Sequence, residues 1–306
     1  MKSVSEHNGI VVVDKSAGMT SHDVVNRIRK IYRTKRVGHT GTLDPDATGA
    51  LVLCIGAATR LAEFLSSAKK MYATEFLFGV ETTTQDTSGD ITASQNASLL
   101  RENDIERLLP AFRGTIVQIP PMVSARHHEG KRLYELAREG IVVEREGREI
   151  EVSQFEMTSF APGEKPTASF DVICSTGTYI RTLAFDLGRA TGVGACMSKL
   201  RRVWVGENEQ TVFHVKNAYS LEELQLRSEA GTLQETVIPL PQATASWTQV
   251  TLGETDLALI RQGRFIGLKE NLREDFYPVA VLNEEAELCA VARILEGTLR
   301  PTKVLT

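Results

Sequence analysis

Apolar runs in this chain stop at strand length. Ile10 to Val13 lies between Gly9 and Asp14, and Ala50 to Ile55 follows Gly49. Such runs predict buried β-strands, and none approaches the roughly 18 apolar residues of a membrane span or fits a signal segment. Between them, Ser21 is placed to cap a helix whose apolar residues Val24, Val25, Ile28, Ile31 and Tyr32 recur at helical spacing. Its outer face is basic, with Arg27, Arg29, Lys30, Arg33, Lys35 and Arg36. The pattern then predicts a helix from Thr59 to Ser67 and a strand from Tyr72 to Val80. Asn103 should cap a helix over Ile105 to Leu109. Gly114 to Ser124 reads as extended, broken by Pro120 and Pro121. A short basic helix is expected over Gly130 to Gly140, strands near 150–158 and 167–174, a helix from Thr178 to Ala190, and a strand over 195–205. Hairpin-length connections without regular βαβ alternation predict an α/β (α+β) protein whose mixed, largely antiparallel sheet is flanked by helices.

After the Glu-rich stretch 220–236 and Pro239 and Pro241, the texture turns β-rich. Thr248 to Leu252, Tyr277 to Leu282 and Leu288 to Ile294 read as strands, with Asn283-Glu284-Glu285 as a turn. A boundary near 236 gives two expected domains, 1–235 and 236–306, a division that a length of 306 residues favours.

Apolar residues make up 42% and charged residues 24%, which excludes disorder as the main state. The net charge of −4 excludes a uniformly basic nucleic-acid coat. Charge is uneven, however: residues 1–60 hold nine Lys/Arg against five Asp/Glu, and residues 221–306 hold eight against thirteen. Phosphate tracking depends on such local excess. Cys54, Cys174, Cys196 and Cys289 form no C-x-x-C pair, and reduced, buried thiols are expected, which points to the cytoplasm. The histidines lack H-E-x-x-H spacing, and His127 and His128 as neighbours share no helix face, so no metal site is expected.

The chemistry-bearing segment is the Gly- and Thr-rich loop Gly38-His39-Thr40-Gly41-Thr42-Leu43-Asp44-Pro45-Asp46-Ala47-Thr48-Gly49. Proline restricts the preceding residue to extended geometry, so Asp44 sits on a stiff backbone. A carboxylate held this way can face a cleft, and the same residues can also make an ordinary turn or helix cap. No Lys follows Gly49, so the loop is not a P-loop.

That twelve-residue segment resembles the catalytic motif of the TruB family of pseudouridine synthases. Four further blocks match in order: Val13 to Ser21; Lys70-Met71-Tyr72 with Phe78-Gly79 and Asp86-Thr87-Ser88-Gly89-Asp90; Pro120 to Ala125 with Gly130 to Tyr134; and Cys174 to Leu183. The tail from about 236 resembles a PUA domain, a small β-rich RNA-binding module. Two departures stand out: Ser16 follows Lys15 where the family has proline, and His127-His128 stand where it often has lysine.

The resemblance implies isomerisation of uridine 55 in the T loop of tRNA, with no cofactor. The N1–C1′ bond breaks and the base rejoins through C5, so a nucleophile must hold one fragment meanwhile. The resemblance gives that role to Asp44, stacking on the flipped base and C5 proton removal to Tyr72, and pairing with the catalytic carboxylate to Arg181. Tyr179 and Leu200 match pocket-lining residues, and His39 a residue that fills the space left by the flipped base. Lys15 falls near the pocket as a further substrate-binding candidate, with a structural salt bridge as its alternative, and the segment 120–140 matches one that closes over RNA. By the residues alone, Tyr72 and Leu200 also fit a core and Arg181 a snorkelling surface position. The implied partner is the tRNA T-arm; a monomer is expected, without membrane or obligatory protein partner. Two other readings stand beside this one: a guide-RNA-dependent, dyskerin-like enzyme, and a non-catalytic RNA-binding or tRNA-folding module.

Overall fold

The computed structural model describes residues 7–122, 127–128, 131–132, 143, 145–268 and 275–305. In chain order the strands are β1 (Gly9–Lys15), β2 (Val37–His39), β3 (Thr48–Ile55), β4 (Lys69–Phe78), β5 (Val80–Thr82) and β6 (Ile91–Ser94). They continue with β7 (Gly114–Gln118), β8 (His127–His128), β9 (Lys131–Arg132), β10 (Arg148–Ala161), β11 (Thr167–Cys174) and β12 (Ala195–Gly206). Last come β13 (Thr248–Thr251), β14 (Ile266–Gly267), β15 (Phe276–Leu282), β16 (Leu288–Leu295) and β17 (Thr298–Val304). The chain divides into two compact units, one of Met1–Pro45, Gly49–Ser67 and Gly206–Thr306, the other of Asp46–Thr48 and Ala68–Val205.

In the first unit β1 and β3 are antiparallel, Ile10 facing Cys54 and Val13 facing Leu51, and β2 pairs with β3 so that His39 faces Leu53. Both long strands are buried almost throughout, as their unbroken apolar runs require. Two returning segments pair with β1. Ile10 and Ile238 exchange N–H···O bonds of 3.0 and 2.8 Å, while the amides of Asp14 and Tyr219 donate to Tyr219 and Val12 at 3.0 Å. Gly9 permits this approach, because a Cβ there would lie 2.4 Å from Val237 Cγ1. Helix Ser21–Ile31 buries Val24, Val25, Ile28 and Ile31. Its N-cap is Thr20 rather than Ser21: Thr20 and Asp23 form a reciprocal capping box, which leaves Ser21 free for another task.

The C-terminal part of this unit carries a sheet ordered β13-β15-β16-β17-β14, with β13 and β15 parallel and the rest antiparallel. Leu257 and Ile260 of helix Glu254–Arg261 share a core with Val279, Val281, Ala292, Ile294 and Leu299. The periodicity revealed β13, β15 and β16. It missed this helix and the two strands that close the sheet, β14 and β17.

The second unit contains the antiparallel array β4-β11-β10-β7, with β12 on the other side of β4. Burial alternates along β4 and β11, and Phe76, Phe155 and Phe170 pack with ring centres 4.7–6.1 Å apart. The expected strand Tyr72 to Val80 begins earlier and breaks at Gly79, whose φ of +80° turns the chain into β5. The cap expected at Asn103 is at Arg101, with helix Glu102–Glu106 behind it. Lys131–Arg132 pairs with His127–His128 as strand, against the helix expected from Gly130; the remainder of 130–140 lies outside the described residues. The mixed, largely antiparallel α/β expectation holds. All four cysteines are buried and free, and among the described residues no helix is long and apolar enough to cross a membrane.

Candidate active site

Asp44 is half-buried, and its neighbours on both sides are pinned. The hydroxyl of Ser21, released from capping, donates to the Leu43 carbonyl at 3.0 Å and accepts the Leu43 amide at 2.9 Å. On the other side the Pro45 carbonyl accepts from Lys15 Nζ at 2.8 Å and from the Gly18 amide at 3.1 Å. Lys15 is 1% exposed, and its ammonium also donates to the carbonyls of Ser16 (2.9 Å) and Met19 (2.7 Å). Three carbonyls thus meet its three N–H donors. A buried ammonium costs several kcal/mol to desolvate, and charged hydrogen bonds return about 1.5–3 kcal/mol each. The cation stays in place only if the loop around Asp44 keeps this shape. Thr48, four residues on, donates to the carbonyl of Leu200 on β12 at 3.5 Å.

His39 is half-buried on β2, and the following residue, Thr40, is buried with its amide on the Val52 carbonyl at 3.1 Å. The stiffness expected of the Asp-Pro pair is therefore one part of the support. Ser21 and Lys15 supply the rest.

Within the second unit, Tyr72 is 7% exposed on the buried face of β4 with Lys70 and Thr74, opposite Val172 of β11. Burial pushes the Lys70 ammonium down to about 8, with the Arg202 guanidinium adding to the effect. Tyr179 is the N-cap of helix Ile180–Ala190 and has no side-chain cap. Buried Gln118 of β7 clasps its backbone instead, accepting from the Tyr179 amide at 2.8 Å and donating to its carbonyl at 3.1 Å.

Arg181 follows in the first turn of that helix and is 5% exposed. Its Nη1 donates to the Thr84 carbonyl at 3.1 Å, and its Nε lies 3.7 Å from Asp86 Oδ2. Asp86 is itself held: Oδ1 accepts from Thr84 Oγ1 (2.6 Å), the Ser88 amide (3.0 Å) and Ser88 Oγ (2.5 Å). The loop is tied to Met197 through Met197 N to Gln85 O (3.0 Å) and Thr87 N to Met197 O (3.1 Å). Gln85 adopts φ of +63°, a left-handed conformation that costs a non-glycine residue of order 1 kcal/mol. Its amide oxygen accepts from Thr182 of the helix at 2.9 Å.

The first unit therefore brings together Lys15, Ser21 and the Asp44 loop, and the second brings together Arg181, Asp86, Thr84 and Gln85. Asp86 and Gln118 carry this geometry without having been singled out in the sequence, and Ser21 was singled out only as a helix cap. Asp86 lay in a matching block, and its Asx-type spacing to Ser88 was the available signal. Among the described residues no group of three His, Cys, Asp or Glu is arranged to hold a metal ion.

Residues 29–180 match the family model for the TruB family pseudouridylate synthase N-terminal domain, and residues 181–244 match the tRNA pseudouridylate synthase B C-terminal domain. A tRNA pseudouridine synthase B of Bacillus pumilus is 42% identical over 309 residues, 98% of each chain. One of Pelotomaculum thermopropionicum is 44% identical over 261 residues, 84% of this chain and 80% of that one. A structure described as a Cbf5-Nop10-Gar1 complex superposes with a TM-score of 0.73 at 24% identity, covering 100% of this chain and 88% of the other, a likeness of fold. With its paired family models and near full-length relatives, the chain belongs to the TruB family of tRNA pseudouridine synthases.

Proposed function

We propose that Asp44 is the nucleophile by which this enzyme isomerises uridine 55 in the T loop of tRNA. What supports this most is the fixing of its two neighbours, Leu43 by Ser21 and Pro45 by Lys15 and Gly18. A nucleophile positioned before substrate arrives avoids reorganisation during reaction. The uridine leaves its stack, at a cost of a few kcal/mol that stacking on Tyr72 offsets. The Asp44 carboxylate adds to the nucleoside as the N1–C1′ bond breaks. The base turns, C5 bonds to C1′, the bond to the Asp44 carboxylate breaks to free the enzyme, and the C5 proton leaves with Tyr72 as the assisting group while N1 gains one. Atoms balance without a cofactor.

Arg181 pairs with the carboxylate before substrate binds and yields it to the nucleoside on binding, since a bidentate guanidinium partner would otherwise quench nucleophilicity. Tyr179 and Leu200 line the base pocket, and His39 enters the loop vacated by the uridine. Lys15, buried on three carbonyls, acts as a brace beneath the Asp44 loop rather than by touching RNA. Residues 1–235 form the catalytic domain, and 236–306 a PUA-like domain that adds RNA affinity. The enzyme works as a cytoplasmic monomer on the T-arm, without guide RNA or protein partner.

The test is mapping of pseudouridine in tRNA transcripts incubated with the purified chain alone. Conversion confined to position 55 is expected. Conversion only with an added guide RNA, or binding without conversion, would overturn the reading.

A further inference from the structure

Four side chains form a row across the C-terminal sheet. Tyr277 stands on β15, Arg293 on β16, Arg300 on β17 and Phe265 just before β14, and these strands lie side by side in that order. Arg293 and Arg300 are direct cross-strand partners, and pairing of Ile266 with Leu299 brings Phe265 level with Arg300. Each guanidinium covers a ring: Arg293 lies 4.6 Å from the Tyr277 ring centre and Arg300 5.3 Å from that of Phe265. Both rings face solvent, Tyr277 at 49% and Phe265 at 61% exposure.

The arrangement works against the isolated sheet. Like charges placed directly opposite each other on neighbouring strands repel. Among the described residues the ion pair made by either guanidinium is that of Arg300 with Glu296, at 3.8 Å with the glutamate side chain 83% exposed. Such an exposed pair does little to neutralise two cations. Phe265, and Tyr277 beyond its edge contact with Phe64, also leave apolar surface in water, away from the core built on Leu257, Ile260 and Val281.

A ligand with closely spaced negative charges and flat apolar faces would resolve both features. Unpaired RNA has this chemistry: phosphates to lie between the two arginines, and bases to stack on rings or guanidinium planes. A duplex keeps its base faces inside the stack and has no use for the rings.

We propose that the row Tyr277–Arg293–Arg300–Phe265 binds an unpaired stretch of RNA. The proposal rests on the RNA-binding reading of the tail and gives that reading a surface and a substrate class. The two cation–aromatic stacks hold the guanidinium planes in place, so that bases meet a prepared platform.

The experiment is fluorescence anisotropy of the full chain with a labelled, unstructured RNA of about eight nucleotides, repeated across salt concentrations. The double variant Arg293→Gln/Arg300→Gln should bind at least roughly tenfold more weakly. Its log K against log salt slope should be smaller by about 1.4, two phosphates at about 0.7 each. Phe265→Leu, which keeps an apolar side chain and removes the ring, should weaken binding roughly fivefold without lowering the melting temperature. Leu99→Ser, an exposed position in the second unit, serves as control and should bind like the parent. Unchanged affinity in the double variant or in Phe265→Leu overturns the proposal. Equal affinity of the parent for a polyphosphate or an acidic peptide of matched charge also overturns it, since base stacking would then contribute nothing. Failure of the parent chain to convert uridine in tRNA would instead sink the assigned reaction, a result that oligonucleotide binding does not decide.

Discussion

Arg181 and Asp86 form an ion pair, Nε to Oδ2 at 3.7 Å, with side chains only 6% and 16% exposed. The distance is long for a hydrogen-bonded pair. The Thr84 carbonyl on Nη1 supplies the closer contact at 3.1 Å, and Asp86 turns its other oxygen to Thr84 and Ser88. Loop 84–88 therefore aims the guanidinium more than it neutralises it. We read Asp86 as a positioning residue acting through Arg181. Asp86→Asn should lower kcat by roughly 10–100-fold while KM for tRNA stays within about threefold, because the change acts on transition-state alignment. Asp86→Glu should recover part of the loss. A rise in KM at constant kcat would place Asp86 in RNA binding. A fall in both that tracks a lowered melting temperature would make the loop merely structural.

Asp44→Asn separates chemistry from recognition. The amide keeps the size of the carboxylate and removes its nucleophilicity. No pseudouridine should form at any enzyme concentration, while tRNA affinity stays within roughly tenfold of the parent. Filter binding together with pseudouridine mapping reads both quantities. Residual turnover in Asp44→Asn would require another nucleophile.

Ser21 joins the helix Ser21–Ile31 to the Asp44 loop. Its hydroxyl makes two hydrogen bonds to Leu43, and both partners are buried. Ser21→Ala leaves a buried amide and carbonyl without that partner, at a cost of about 1–3 kcal/mol. The lost restraint lies one residue from Asp44, so kcat should fall as well. The two effects separate by temperature: assays well below the melting point should still show the lower kcat. Full activity there would mean that the Asp-Pro backbone alone holds the carboxylate.

The sequence disclosed some of this more readily than the rest. The Asp44 loop was legible because proline restricts its predecessor locally, and β1 and β3 because strands buried on both faces read as unbroken apolar runs. The support of Asp44 was not legible, since Lys15 and Ser21 lie 30 and 22 residues from the Pro45 and Leu43 carbonyls that they hold. Thr20 took the capping role assigned to Ser21 because Asp23 completes a box with it, a competition that the hydrophobic period does not encode. Helix Glu254–Arg261 was hidden by its length, with only Leu257 and Ile260 fully buried along eight residues. The register of Arg293 with Arg300 depends on strand pairing, which composition does not encode.

Lys70 should leave a signature in stability against pH. Burial lowers its folded-state value from 10.5 to about 8, while the unfolded chain keeps the ordinary value. Below about pH 8 the residue is charged in both states, and the fold bears the full cost of the buried ammonium. Between about 8 and 10.5 the unfolded chain binds the proton and the folded one does not, so stability from this residue rises with pH. Other groups titrate there too: burial pushes the Cys54 and Cys174 thiols up to about 12 and 11, which works in the opposite direction. The measurement is therefore a difference between the parent and Lys70→Met, from urea midpoints at several pH values. The parent should gain on the variant by about 2–3 kcal/mol between pH 7 and 10.5. A constant difference would mean that Lys70 remains charged in the fold throughout.

Where the C-terminal segment is cut should decide what its removal reports. A cut after residue 235 removes Thr236, whose hydroxyl meets that of Tyr32 at 2.5 Å, and Ile238, which exchanges two backbone hydrogen bonds with Ile10 of β1. A cut after 246 spares these and removes the β13–β17 sheet with its Arg293–Arg300 row. It also removes the contacts of Trp247 and Tyr277 with Phe64, so some loss of stability is expected from this cut as well. The chain 1–246 should fold and convert uridine in a T-arm stem-loop with a weaker tRNA affinity. The chain 1–235 should melt lower still, because β1 loses a paired edge and Tyr32 keeps a buried hydroxyl without Thr236. Calorimetry and tRNA titration of both truncations read the two effects separately. Equal melting temperatures would show that the 236–246 segment adds no stability to β1, and unchanged tRNA affinity in chain 1–246 would remove the sheet from RNA binding.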